Sequence, residues 1–359
     1  MENRYRKGDF AGWEISLPFS KNNRHFISGV NDLRGLNLKY VIRRLISAVF
    51  TLWIALTINF LLPRCMGGDP AEYLASQSAM GSFEYAELVR QQFGLDKSIL
   101  EQYFLYMKEL FHGNLGVSYM NFPTPVKDII LDAMPWTLLI VITSILISFA
   151  LAWFLGTLSA LKKGSFFDNA VVGTSFYIQS IPYFWVGMLI VMAFGYYLEW
   201  FPMGHARDAM VTGGFLAQAG DIAYHAFLPV LSMVIVSLAG RMIMMRSNIL
   251  QVFSEDYIML AQAKGLKKGK ILTKYALRNA LLPSFTGLML SLGQAVGGAI
   301  ATELVFSYPG IGLTVMNAIL SHDYPLIQGC FAIIAVSVVA MNFLADLIYP
   351  LIDPRVSLS

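Results

Sequence analysis

The residues able to do chemistry in this 359-residue chain are few and scattered. The five histidines are His25, His112, His205, His225 and His322. No HExxH string sets two of them on one helix face, as a zinc site of that kind needs. Cys65 falls in a polar stretch and Cys330 in the middle of an apolar run, so the two are not expected to pair, and no metal-ligand spacing surrounds either. No nucleophile stands beside a convincing base. The string Gly265-Leu266-Lys267-Lys268-Gly269-Lys270-Ile271 approaches a phosphate loop, but three residues separate its glycines where four are needed. Neither Ser nor Thr follows Lys270, and no strand precedes the string. A chain with these residues is expected not to be an enzyme and to bind no nucleotide or metal of its own.

The groups left with something to do are positively charged and interfacial. Tyr257–Pro283 is a basic, amphipathic segment between two long apolar runs. Ser254 is placed to cap a helix, and Glu255 and Asp256 then occupy the first turn, where negative charge suits the dipole. Gly265 is a stop in the left-handed conformation, with Lys264 in the last turn. The expected helix is about ten residues and some 15 Å long. The small residues Ala261, Ala263 and Gly265 would let it enter a partner's cleft closely, although an ordinary amphipathic loop lying on lipid fits the spacing as well. A second helical stretch, Lys270–Leu282, leads to Pro283, which is suited to open the next helix.

The elements that must carry this segment are membrane helices. The sequence is 56% hydrophobic and 14% charged, against about 25% charged in soluble domains. Apolar runs near 41–62, 135–161, 169–198, 227–247, 284–303 and 326–350 are each long enough to span a bilayer, which takes roughly 20 residues as helix. The expected fold is therefore all-α and polytopic with six transmembrane helices. Pro182 predicts a kink in the third. Nine Lys and Arg precede residue 45, Lys162 and Lys163 sit in one short loop, eight lie within 241–282, and Arg355 is in the tail. Placing these inside puts both termini in the cytoplasm. The basic balance then reflects topology, and nucleic acid is not an expected partner. The first apolar run follows Arg43-Arg44 and reads as a signal anchor with no cleavable leader.

The expected organisation is a cytoplasmic arm over 1–38, a first span over 39–62, an external helical insert over 63–134, and a core membrane domain over 135–355 whose cytoplasmic loop is 248–283. The insert has nine acidic and five basic residues and helix-like spacing over Leu88–Phe93 and Ile99–Phe111; it is expected to be a small cap touching an external partner. Gly293-x-x-x-Gly297, with Gly298, permits close helix approach. Asn59, Gln179 and Asn342 are polar groups within spans, suited to helix–helix hydrogen bonds or to cargo contact. Glu303, at the end of its span, suits a gate, an interface residue or a cap on the following turn.

Taken in order, these pieces resemble a known pattern. Tyr257, Ala261, Ala263, Lys264, Gly265 and Leu266, followed by Ala276–Pro283, are similar to the EAA-type loop of ABC importer membrane subunits, in the form used by the peptide/nickel permease family. The Glu that names that motif is Met259 here, as is common in the peptide branch. Arg43-Arg44-Leu45, Gly68-Asp69-Pro70-Ala71, Phe93-Gly94-Leu95-Asp96, Gln102-Tyr103, Asn114-Leu115-Gly116 and Pro135-x-Thr137-Leu138 fit the same family. So do Ser180-Ile181-Pro182-x-Phe184-Trp185, the run Glu303-x-Val305-Phe306-Ser307-Tyr308-Pro309-Gly310-Ile311-Gly312, Asp346-Leu347-x-Tyr349 and Asp353-Pro354-Arg355. Residues 1–38 have no counterpart in it.

The resemblance implies the transmembrane domain of a type I importer. It would pair with a second, similar permease subunit and two cytoplasmic ATPase subunits, which would hold ATP and Mg, while an extracytoplasmic binding protein delivers cargo. Peptide is the leading cargo, with oligosaccharides and nickel chelates carried by near relatives. A coupling helix over 255–265 would seat in an ATPase, engaging it through Glu255, Asp256, Tyr257, Ala261, Ala263, Lys264, Gly265 and Leu266, with Arg278 and Asn279 beyond. Nucleotide can drive transport only by binding one conformation better than the other. Gln179, Pro182, Gln294 and Glu303 are the expected pathway residues. A proton-coupled secondary transporter is the remote alternative; such proteins place ionisable residues inside spans, whereas Glu303 and Asp346 sit near span ends here.

Overall fold

The computed structural model describes residues 38–77, 83–211, 213–297 and 299–352. The 1–37 stretch of the expected arm, Gly298 and the Asp353-Pro354-Arg355 string lie outside the described residues. Among those described there is no strand, only an isolated antiparallel bridge between Val117 and Pro125. The chain is a bundle of helices, as its composition and apolar runs require.

The first helix, α1 (Leu38–Cys65), is followed by three short helices of the insert: α2 (Pro70–Gln77), α3 (Phe83–Phe93) and α4 (Ile99–Phe111). Then come α5 (Val126–Leu161), α6 (Phe166–Gln179), α7 (Tyr183–Ile190, prolonged by a π-helical turn over Val191–Tyr197) and α8 (Phe215–Phe253). At 36 and 39 residues, α5 and α8 are about 54 and 58 Å long at 1.5 Å per residue. Both therefore project beyond a hydrocarbon core of about 30 Å. They pack lengthwise and form the spine of the fold. Ile140, Val141, Ile145 and Phe149 of α5 meet Leu228, Val230 and Val234 of α8 in the main core, with Val186 and Ile190 of α7. Gly156 permits the contact, because a Cβ there would stand 2.8 Å from the Met242 carbonyl oxygen and 2.9 Å from Met245 Cβ.

Among the described residues, four helices are long and apolar enough to cross a membrane: α1, α5, α8 and α14 (Tyr324–Ile352). The pair α6 and α7 makes a fifth if counted as one span, but it is bent by 98°. The kink expected at Pro182 is thus a full break. Pro182 has extended backbone (φ −55°, ψ 130°) and caps α7, because a residue preceding the first helical turn needs no intrahelical donor.

The expected span over 284–303 is not one helix. After α9 (Asp256–Ala263), residues 268–293 are helical without interruption: α10 (Lys268–Ile271), a π-helical turn (Leu272–Ala276) and α11 (Leu277–Gly293). Residues 264–267 separate α9 from α10, and from Lys268 onward continuous helical backbone leads into the fifth apolar run. Pro283 lies inside α11 and does not open it, correcting the sequence expectation. The chain breaks after Gly293, passes through a 3-10 turn at Ala295–Gly297, and resumes as α12 (Ile300–Val305) and α13 (Ile311–Leu320). Gly293 ends the helix where α11 touches α14: a Cβ on it would lie 2.8 Å from Met341 Cβ. The close approach expected of Gly293 is present, whereas Gly297 has only ordinary clearance, 3.8 Å to Ile334.

The insert is helical as read, and its helices bracket both predicted stretches. Ala71, Ala75, Ala86 and Val89 join α2 to α3, and Arg90 bridges Asp69, Glu72 and Glu87. Asn59 makes helix–helix hydrogen bonds: its Nδ2 donates to the Gln328 carbonyl (2.8 Å) and to the Tyr106 hydroxyl (3.1 Å), joining α1 to α14 and α4.

Candidate functional site

The candidate site lies at the end of the bundle where α5 terminates, α6 begins and α8 ends. Ser254 closes α8; its Oγ donates to the Gln251 carbonyl at 2.6 Å, and it does not cap the next helix. Glu255 takes that place with extended backbone (φ −77°, ψ 144°), so the cap expected at Ser254 is moved by one residue. The Ser254 hydroxyl bonds back to its own preceding turn, the local side-chain-to-backbone competition that serine offers at helix ends. Asp256 remains in the first turn, as expected.

At eight residues, α9 is too short to be stable alone, since isolated helices below about 12–15 residues are marginal in water. Tertiary packing holds it. Ile258 and Ala261 are buried against Ile271 and Ala276, with Val252, Phe253, Leu266 and Leu272 around them. Ala261 therefore faces its own chain, contrary to the expectation that it lines the outward face. The outward surface carries Tyr257, Met259, Leu260, Ala263 and Lys264, all exposed. The helix ends in a Schellman motif: the Gly265 N–H donates to Gln262 (2.9 Å) and the Leu266 N–H to Ala261 (3.3 Å). Gly265 sits at φ +71° with nothing within 4 Å of the position a Cβ would take. A single strut fixes α9 against α11. Asn279 Nδ2 donates to the Tyr257 hydroxyl at 2.9 Å and to the Tyr275 carbonyl at 3.2 Å. Arg278 is exposed beside it.

Two clusters that sequence reasoning passed over brace this end of the bundle. Asp168, almost wholly buried at the start of α6, receives a fork from Arg246 of α8: Nε to Oδ1 at 2.6 Å and Nη2 to Oδ2 at 2.8 Å. Ser159 Oγ of α5 donates to Oδ1 (2.5 Å) and the Gly164 N–H to Oδ2 (2.9 Å). One carboxylate thus pins three helix ends. Arg241 lies over the Phe149 ring, 4.2 Å from its centre, and bonds Ser148. The signal was available: a guanidinium in an apolar run requires a partner.

The opposite end of the bundle carries the long motif that begins at Glu303. Glu303 is fully buried. Thr137 Oγ1 donates to its Oε1 (2.7 Å), the Leu313 N–H donates to Oε2 (3.1 Å), and Thr137 Oγ1 accepts from the Ile311 N–H (2.8 Å). The carboxylate and the Thr137 hydroxyl between them thus satisfy open N–H groups at the start of α13. A Cβ at Gly310 would fall 2.4 Å from Glu303 Cδ, and one at Gly312 would fall 2.6 Å from Ile300 Cα. Of the roles considered for Glu303, the cap on the following turn is the one its contacts fulfil. Beside this knot opens a cavity of about 1120 Å³ whose polar lining includes His205, Arg207, Asp208 and His225.

The four residues expected on a pathway are not drawn together. Gln179 is exposed at the end of α6, where its Nε2 donates to the Ser175 carbonyl (3.2 Å). Pro182 is exposed at the bend, Gln294 is exposed where it closes α11, and Glu303 is enclosed.

Comparison with known proteins decides the family. Residues 152–358 match the family described as "Binding-protein-dependent transport system inner membrane component". Residues 37–141 match its companion, "Binding-prot-dependent transport system membrane comp, N-term". The chain belongs to this family. It is the membrane-spanning permease component of an ABC importer, a multi-pass membrane protein. The dipeptide transport system permease protein DppB of Escherichia coli strain K12 is 32% identical over 337 residues, 89% of this chain and 98% of the relative. The di/tripeptide transport system permease protein DppB of Pseudomonas aeruginosa is 34% identical over 333 residues, with the same coverage. The oligopeptide transport system permease protein AppB of Bacillus subtilis is 32% identical over 317 residues, 88% of this chain and 98% of the relative. Both family matches together extend over the insert and the core of the permease, as the ordered motifs led one to expect.

Proposed function

We propose that this permease subunit translocates peptides delivered by an extracytoplasmic binding protein, in a complex with a second, similar permease subunit and two ATPase subunits. The observation that carries the reading is the construction of α9. It is a short helix, packed against α8, α10 and the π-helical turn on one face, tied to α11 through Tyr257, and exposed on the other, where Met259, Leu260 and Ala263 offer an apolar surface. An exposed helix held this rigidly suits seating in a partner's groove. Peptide is favoured as cargo by the printed names of the relatives, which are dipeptide, di/tripeptide and oligopeptide permeases.

In this reading both termini and α9 face the cytoplasm, and Glu303 and the His205 cavity face outward. ATP and Mg bind to the ATPase subunits, and this chain hydrolyses nothing. Closure of the ATPase pair displaces α9, and with it α8 and α11, so that nucleotide shifts the balance between outward-facing and inward-facing states.

The test is uptake by proteoliposomes containing the purified four-subunit complex and its binding protein. A labelled tripeptide should accumulate only with internal ATP. Exclusive uptake of an oligosaccharide or a nickel chelate would overturn the cargo assignment. Uptake driven by a proton gradient without ATP would overturn the mechanism. A cysteine at Leu260 should react with an impermeant maleimide only from the ATPase side; labelling from the binding-protein side would overturn the topology.

A further inference from the structure

The insert helix α4 has a face that the permease itself does not cover. Leu100, Phe104, Met107 and Phe111 recur at i, i+4, i+7 and i+11, which is one stripe of an α-helix. The stripe is turned outward: Leu100, Phe104 and Phe111 are 70%, 68% and 82% exposed. The polar contacts with α1 lie away from this stripe. Gln102 Oε1 accepts from Arg64 Nη2 (2.6 Å), and the Tyr103 and Tyr106 hydroxyls bond Thr57 (2.9 Å) and Asn59 (3.1 Å). A water-facing helix places its apolar stripe the other way round. Its start is closed within the chain, where Ser98 and Glu101 complete a capping box.

The position of α4 says what the stripe meets. The helix meets α1 toward its Cys65 end, the end remote from α9: Gln102 Oε1 accepts from Arg64 there. Its contacts with α1 come from the short stretch Gln102–Tyr106, where the rings of Tyr103 and Tyr106 lie 5.2 and 5.6 Å from the Phe60 ring. Beyond α4, Leu115 and Gly116 approach Gly329 and Pro325 at the start of α14. The helix is therefore level with the last apolar turn of α1, where Ile58, Leu61 and Leu62 are themselves exposed. Its stripe continues the exposed apolar band of a membrane span at the depth where that band gives way to polar residues. Lys97 and Lys108 flank it with cationic groups on flexible stems, which can reach headgroups while their methylenes lie on lipid.

We propose that α4 is an in-plane membrane anchor: its Leu100, Phe104, Met107 and Phe111 stripe is buried in the lipid leaflet at the Cys65 end of α1. Such helices sit with the apolar face about 5–10 Å into the boundary between headgroups and acyl chains. The anchor fixes the height and tilt of the insert, so that α2 and α3, with their acidic residues and Arg90 bridges, are presented on the aqueous side.

The test uses the assembled transporter in nanodiscs of phosphatidylcholine and phosphatidylglycerol, with the exposed Cys65 changed to Ser. Single cysteines at positions 100, 104, 107 and 111 carry a spin label, with Ile58→Cys as lipid reference and Glu101→Cys as water reference. Collision with oxygen and with a water-soluble nickel chelate is read at each. The four stripe positions should match Ile58→Cys, with high oxygen and lost chelate collision, while Glu101→Cys keeps both. Chelate collision at the stripe equal to that at Glu101→Cys would overturn the proposal. So would loss of collision with both reagents, which would mean that a protein subunit covers the stripe. The readout needs neither cargo nor ATP, so its failure leaves the peptide-import reading standing.

Discussion

Gly265 offers a perturbation whose cost can be separated into backbone and steric parts. Nothing lies within 4 Å of where its Cβ would be, so a side chain meets no wall. The obstacle is φ +71° alone. For an L-residue the left-handed region costs roughly 1–2 kcal/mol, Asn visits it routinely, and a β-branched residue is worst placed. The ordering for stability of the α9 end is therefore Gly, then Asn, then Ala, then Val. A penalty of about 1–2 kcal/mol is a factor of roughly 5–30 in the population of the closed Schellman cap. Two hydrogen bonds, from Gly265 to Gln262 and from Leu266 to Ala261, depend on that cap. The contact of Leu266 with the Ile258 cluster depends on it too.

Two assays read the series. Hydrogen exchange over 256–266 should speed up in the order Asn, Ala, Val. Transport-coupled ATP hydrolysis by the reconstituted complex should fall in the same order while membrane insertion is unchanged. Gly265→Val with undiminished coupling would refute the idea that a stiff α9 transmits the stroke. Gly265→Asn falling as far as Gly265→Val would refute the backbone argument and point instead to a surface that must stay flat against the partner.

Further outcomes follow from the other clusters. Glu303→Gln keeps the shape but turns an amide nitrogen toward either the Leu313 N–H or Thr137; a loss of about 1–3 kcal/mol in thermal stability is expected, with faster exchange over 306–313. Loss of transport at unchanged stability would instead make Glu303 a pathway residue. Arg246→Met strips a buried carboxylate of its fork; removing one partner of a buried pair costs about 3–5 kcal/mol, reduced here to about 2–3 because Arg246 keeps 23% side-chain exposure. Asp168→Leu combined with Arg246→Met should recover most of that in a double-mutant cycle of detergent melting temperatures. Asn279→Leu removes the strut to Tyr257 and should cost about 1 kcal/mol, seen as looser coupling of ATP hydrolysis to uptake with little change in the melting temperature.

How much was legible in the sequence follows a physical line. Long apolar runs announce spans because the bilayer demands them, and α1, α5, α8 and α14 were readable for that reason. The fifth run misled because hydropathy does not record backbone geometry: Gly293 and Gln294 end α11 in the middle of a mostly apolar stretch. Local capping chemistry was readable only in part. Gly265 announced its left-handed stop, but the choice between Ser254 and Glu255 as cap turned on where the Ser254 hydroxyl found its nearest carbonyl. Contacts between residues far apart in the chain, such as Asp168 with Arg246 or Glu303 with Thr137, had no local signature. They are consequences of which helices pack, and only the cost of leaving a buried charge unpaired hinted that partners existed.

The residues that made the family recognisable divide into two kinds, and the division bears on how its motifs are used. Ala261, Leu266 and Asn279 in one stretch, and Glu303, Tyr308, Gly310 and Gly312 in the other, hold the subunit's own fold: they are buried, sit where no Cβ fits, or hydrogen-bond within the chain. Tyr257, Met259, Leu260, Ala263 and Lys264 are the ones left with an outward surface. A motif read whole as a partner contact therefore overstates the interface. Met259 sits on the outward surface, at the position where the wider motif has its Glu, so on the proposed reading the partner's groove meets an apolar side chain there. Ala261 faces the other way, against Ile271 and Ala276, and enlarging it would dislodge α9 before any partner was felt. On the proposed reading, the outward face of this eight-residue helix meets the partner and the inward face holds the fold, while Tyr257, whose hydroxyl accepts from Asn279, belongs to both.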